Sequence, residues 1–214
     1  MAEKKAKKSM LMITMILILE AIIVIAFISP GWIEEQIDKE HEATQAWLGE
    51  EKAVEIKTGA FVFYKTYFLD TDFQKAMYQL FIPTQKQKER SVGMETTGDV
   101  FFDWLKERFD AIWFSIYQTT YRVLMIFSWL PFFIPIIIAT VIDGLMTREC
   151  KKREYGYTSD VRYNMSFKSI YLMMVIFLIY IFTPIQITPM IVPMCLGVIA
   201  FSVWILSSHI QQQI

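Results

Sequence analysis

Apolar runs at 10–28, 121–142 and 170–206 dominate this 214-residue chain. Crossing a hydrocarbon layer of about 30 Å takes roughly 20 apolar residues in helical form. The first two runs are each long enough for one crossing. The third is too long for one and is interrupted by Pro184, Ile185, Gln186, Ile187, Thr188 and Pro189. Proline ends one helix and is tolerated at the start of another. The stretch therefore reads as two helices, 166–183 and 190–207, with Lys168 snorkelling to the interface. The expected fold is an all-α membrane protein with four transmembrane helices: 10–28, 121–142, 166–183 and 190–207.

The remaining segments sort by charge. The N-terminal residues 1–9 carry Lys4, Lys5, Lys7 and Lys8 against Glu3. Residues 143–168 carry six basic side chains against four acidic ones, whereas 29–120 carry 10 basic against 16 acidic. Basic flanks stay on the cytoplasmic side. This places residues 1–9, the loop 143–165 and the tail 208–214 in the cytoplasm of a bacterial inner-membrane protein. Residues 29–120 become a periplasmic insertion between the first and second helices. The first run reads as an anchor rather than a cleaved signal, because Ile28-Ser29-Pro30 lacks a small-x-small cleavage pattern. Cys150 falls in the loop and Cys195 in the fourth helix, so no disulfide is expected to brace the insertion.

The insertion is expected to be mainly helical. Ile33, Ile37, Thr44 and Leu48 recur at helical spacing, with the acidic residues on the opposite, solvated face. Residues 60–69 are aromatic-rich and fit either helix or strand. Asp70 or Thr71 would cap a short helix ending before Pro83. Residues 84–98 read as a loop, and Asp99 as the cap of an amphipathic helix. Phe102, Leu105, Phe109, Ile112, Trp113 and Ile116 line one face of that helix, and Asp103, Lys106, Glu107 and Asp110 the other.

Few residues suggest chemistry. The chain has only two histidines, His41 and His209. The carboxylates around His41 read as a solvated helix face rather than a metal site, and Cys150 lacks an adjacent base. No catalytic residue, metal or cofactor is expected. Glu20 stands out because a carboxylate inside a span needs a reason. Its expected surroundings offer no ion-pair partner within the chain. It would be a neutral acid, bond to Ser, Thr or Tyr, or be satisfied by another protein. Ser128, Thr140 and Ser202 are further polar groups able to hold helices together. Pro131 and Pro135 share a face of the second span and mark a kink or hinge. Asp143 and Gly144 follow that span, where a turn out of the bilayer is expected. Gly156 and Ser159 read as a second turn. The loop presents Arg148, Lys151, Lys152, Arg153, Arg162 and Tyr163, a surface for anionic lipid or a protein partner. Its small net charge argues against direct nucleic-acid binding.

Pro131 and Pro135, then Asp143-Gly144-Leu145, Arg148, Arg153, Gly156, Ser159 and Tyr163, then the hairpin broken by Pro184 and Pro189, form an ordered pattern. Over residues 100–207 this pattern resembles a family of inner-membrane proteins encoded by integrating conjugative elements and conjugative plasmids. Its genes commonly lie beside that of the type IV coupling protein. Members of that family often carry His where this chain has Asn164. The resemblance implies a non-enzymatic, accessory or scaffold component of a conjugative DNA-transfer (type IV secretion) system. Its partners would be the coupling ATPase and other subunits, in a homo- or hetero-oligomer. Two other classes fit the residues alone: a small transporter or channel subunit using Glu20, and a regulator acting in the recipient cell.

Overall fold

The computed structural model describes residues 11, 13–15, 18–20, 22–23, 26–82, 95–154 and 159–209. Every regular element among them is helical. Two compact units emerge: Met1–Leu124 with Phe182–Ile187, and Met125–Ile181 with Thr188–Ile214.

In the first unit, α1 (Pro30–Leu48) opens with proline in its first turn, where the missing N–H costs nothing. It ends at Gly49, whose φ of 84° is a conformation that favours glycine. α2 (Glu50–Tyr64) begins at the next residue, with Glu50 and Glu51 favourably placed at the positive end of its dipole. A single glycine thus folds α1 back on α2. Ile33 and Ile37 of α1 are buried, as are Ala53, Ile56 and Ala60 of α2. The aromatic-rich residues 60–69 are helical. Their last turn, Lys65–Leu69, widens into a π-helix, and α3 (Phe73–Phe81) follows. Its N-cap position is Asp72 in a left-handed conformation, not Asp70 or Thr71. The Thr71 hydroxyl instead donates back to Tyr67 O at 2.7 Å.

α4 runs without interruption from Glu95 to Arg153. Asp99 is therefore inside this helix rather than its cap, and the expected loop 84–98 is helical from Glu95 on. Residues 84–94 lie outside the described residues. The buried positions Arg108, Ala111, Gln118, Arg122 and Met125 recur at helical spacings of three, four and seven. Ala111 closes a core with Ile33 and Ile37, flanked by Trp32, Phe114 and Tyr117. Gly59 of α2 lets α4 come near: a Cβ there would stand 3.2 Å from Leu124 Cδ1.

In the second unit, the remainder of α4 associates with α5 (Asp160–Phe182) and α6 (Ile191–Ser208). Ser159 precedes α5 and accepts the Arg162 N–H at 3.5 Å. Pro184 and Pro189 lie in the non-helical stretch between α5 and α6. The expected turn at Asp143 and Gly144 does not exist, because helix geometry continues there for ten more residues. Glycine is present for another reason. A Cβ on Gly144 would sit 2.7 Å from Ser207 Cβ and 2.9 Å from Trp204 O, so α4 and α6 nearly touch. Asp143 accepts the Trp204 indole N–H at 2.6 Å beside that contact, and Ser202 Oγ meets Ser169 Oγ at 3.1 Å. Close approach through small residues and a few polar links is how helices associate in lipid.

Three helices among the described residues are long and apolar enough to cross a membrane: Val100–Arg153, Asp160–Phe182 and Ile191–Ser208. The count is thus three rather than the expected four, and the first run, 10–28, lies partly outside the described residues. Phe132, Ile134, Ile136, Ile138, Leu172, Met174, Met194 and Phe201 are all exposed. So much bare apolar surface suits a lipid solvent and would be an aggregation hazard in water.

Candidate functional site

The buried face of α1 carries more than aliphatic residues. Ile33, Gln36, Ile37, Glu40 and Thr44 form one stripe and are all buried. This corrects the reading of the acidic residues as uniformly solvated. Glu34, Glu35, Asp38 and Glu42 are exposed, but Glu40 turns inward.

Its partner is Arg122, the second residue of the expected second span. Both side chains are fully buried. Arg122 Nε donates to Glu40 Oε1 and Arg122 Nη2 to Glu40 Oε2, each at 2.8 Å, in a bidentate fork. Gln118, one turn before Arg122 on α4, adds its Nε2 to Glu40 Oε2 at 3.1 Å. The other side of the guanidinium faces the stretch after α5. Nη2 donates to Ile185 O at 2.7 Å and Nη1 to Thr183 O. Those carbonyls belong to residues outside any helix, so without Arg122 they would need another donor. Gln186 completes the attachment: its N–H reaches Gln36 Oε1 and its amide Nε2 reaches Lys39 O, both at 3.4 Å.

Glu20 joins the same cluster. The Thr183 hydroxyl donates to Glu20 Oε1, while Glu20 Oε2 is buried with no hydrogen-bond partner among the described residues. Glu20 therefore meets a threonine, one of the residue types expected for it. Arg122, a basic residue at the start of the expected second span, is two links away through Thr183. One cluster thus ties α1, α4, the Glu20 segment and the 183–186 stretch together. Its chemistry is that of a clamp, since a buried bidentate pair fixes geometry and holds no nucleophile. His41 sits at its edge, edge-on to Tyr121, with Nδ1 3.4 Å from the Tyr121 hydroxyl.

In the second unit, the loop residues divide. Lys151 turns back to the end of α6, reaching His209 Nε2 at 3.3 Å and Ser208 O at 3.4 Å. Lysine only donates, so Nε2 is the acceptor and Nδ1–H faces Ile205 O at 3.1 Å. Lys151 and the neutral His209 together cap the free carbonyl end of α6. Lys152 pairs with Glu149 at 2.6 Å. Arg148 is half-buried, and its Nε has no partner among the described residues. Arg153, Arg162 and Tyr163 are exposed. Pro131 and Pro135 lie inside α4 on its exposed side, and Gly156 lies outside the described residues.

Burial holds the His209 pKa below its ordinary 6.5, and Lys151 and Arg162 push it further in that direction. The folded state thus favours the neutral ring. The stability this contributes is complete above about pH 6.5 and is lost as pH falls through the lower folded value. Titration of the imidazole by NMR should give a midpoint below 6.5, with α6 loosening over the same range. A midpoint at or above 6.5 would remove His209 from the cap.

Sequence reasoning missed Glu40 and Arg122, although both left a signal. Glu40 lies seven residues from Ile33 and four before Thr44, in register with the apolar stripe. Arg122 is a lone cation at the mouth of an apolar run, and such residues need partners.

No curated protein and no solved structure matches the chain. One family does, described as IncC plasmid conjugative DNA transfer protein DtrJ-like, over residues 24–211. The matched span holds Glu40, Arg122, Asp143, Gly144 and the basic residues alike, so it takes in both units and the clamp. The chain belongs to the DtrJ-like family of conjugative DNA transfer proteins.

Proposed function

We propose that this protein is a non-enzymatic inner-membrane component of the conjugative transfer machinery and a scaffold for the coupling ATPase. The family match carries the reading, since conjugative transfer is the role its description prints. Three apolar helices with lipid-like surfaces support a membrane setting. Charge asymmetry supports the sidedness: the basic residues near 148–162 in the cytoplasm, and the acidic insertion 29–120 in the periplasm. In this reading the clamp ties the insertion to Arg122 and to the stretch after α5. Arg153, Arg162 and Tyr163 face an acidic partner surface, leaving Lys151 and Lys152 to intramolecular contacts.

Affinity capture from conjugating cells tests this. The tagged chain should bring down the coupling ATPase. Arg153→Glu with Arg162→Glu should lower that recovery about tenfold, the equivalent of roughly 1.4 kcal/mol, at unchanged protein level. Recovery of the chain without the ATPase, from cells that express it, refutes the proposal.

A further inference from the structure

A cavity of about 420 Å³ opens in the first unit. Five aromatic rings line it: Phe61 and Tyr64 from α2, and Trp113, Phe114 and Tyr117 from α4. Among the residues lining it, Asp110 is the one that carries a charge. The rings are fixed by one another. Tyr64 and Tyr117 meet edge to face with centroids 6.1 Å apart. Trp113 is braced by Phe68 and Phe73, at 5.6 and 6.2 Å. Tyr64 donates to Gln74 Oε1 at 3.2 Å, and Tyr78 donates to Asp110 Oδ1. No basic side chain forms an ion pair with Asp110 among the described residues.

We propose that this cavity receives an arginine side chain from an extended segment of a partner protein. Aromatic faces attract cations, guanidinium above all because it also stacks. A carboxylate at the same site adds charge complementarity and a bidentate acceptor. The volume exceeds what a bare ammonium fills and suits a long side chain with part of its backbone. Trp113 supplies the second half of the recognition. It is 6% exposed, and its Nε1–H has no acceptor among the described residues. A peptide carbonyl next to the arginine would provide one. Burial raises the pKa of Tyr64, and the Asp110 charge adds to the shift, so the negative field reaches the rings as well as the rim.

The test is independent of the coupling ATPase and uses the full chain in lipid nanodiscs. All six tryptophans are replaced biosynthetically by 5-fluorotryptophan, and the residue 113 fluorine signal is assigned with Trp113→Phe. Acetyl-arginine-methylamide should shift that signal saturably. The citrulline counterpart, neutral and nearly isosteric, should bind at least tenfold more weakly, as should arginine to Asp110→Asn. Tyr78→Phe, which removes the Asp110 hydrogen bond but keeps its charge, should still bind. Equal shifts with citrulline, or no shift with arginine at millimolar concentration, overturn the proposal. So does a shift seen only after Lys86, Lys88 and Arg90 are replaced by Gln, because the occupant would then be the chain's own segment.

Discussion

Arg122→Met should destabilise the protein by about 3–5 kcal/mol, the usual effect of removing one member of a buried ion pair. The Glu40 carboxylate would remain fully buried without its guanidinium, and the Thr183 and Ile185 carbonyls would lose their donor. With total stabilities commonly 5–15 kcal/mol, this is a large fraction. Little folded protein should survive extraction, and what survives should melt well below the parent. Glu40→Leu alone should be similarly harmful, because it takes the carboxylate away from a fully buried guanidinium. The double variant separates the charge from the contact: with both ions gone, neither is left buried without the other, and much of the loss should return. If the single and double variants are equally unstable, the carbonyl bonds rather than the ion pair hold this region.

Gly144→Val comes second in expected effect. Even the first added carbon would overlap Ser207 Cβ and the Trp204 carbonyl, and the latter is backbone that cannot rotate aside. Overpacking of this kind costs about 1–3 kcal/mol. Relaxation would part α4 from α6 and strip the Trp204 indole from Asp143. Gly144→Ala should therefore lower the melting temperature, and Gly144→Val should lower it more. Ser207→Gly should rescue the Ala variant only in part, since Trp204 O remains in the way. An unchanged melting temperature for Gly144→Val would mean that the helices do not meet there.

The helical class was legible because apolar runs this long fit few other structures, and prolines at 184 and 189 bracket a break by local rules alone. Gly144 and Glu40 were harder for a shared reason. Each acts through a neighbour remote in sequence. Gly144 looks like a turn residue when read with Asp143 and is a contact residue once Ser207 is beside it. Glu40 looks like one acid among several until Arg122, 82 positions on, arrives to pair with it. The basic loop misled in a similar way. Lys151 resembles its neighbours in composition, yet the end of α6 claims it. Net charge by segment describes the flanks of a helix well, but it cannot tell an offered cation from an occupied one.

The guanidinium at position 122 also sets an order on biogenesis. Its carboxylate partner is already synthesised when Arg122 leaves the ribosome, but the two carbonyls it needs lie 61 and 63 residues downstream. At about 5–20 residues per second, the nascent chain waits roughly 3–12 s for them. During that interval a half-coordinated cation sits at the edge of an apolar segment. The coordination of Arg122 is therefore completed only once the stretch after α5 has been made.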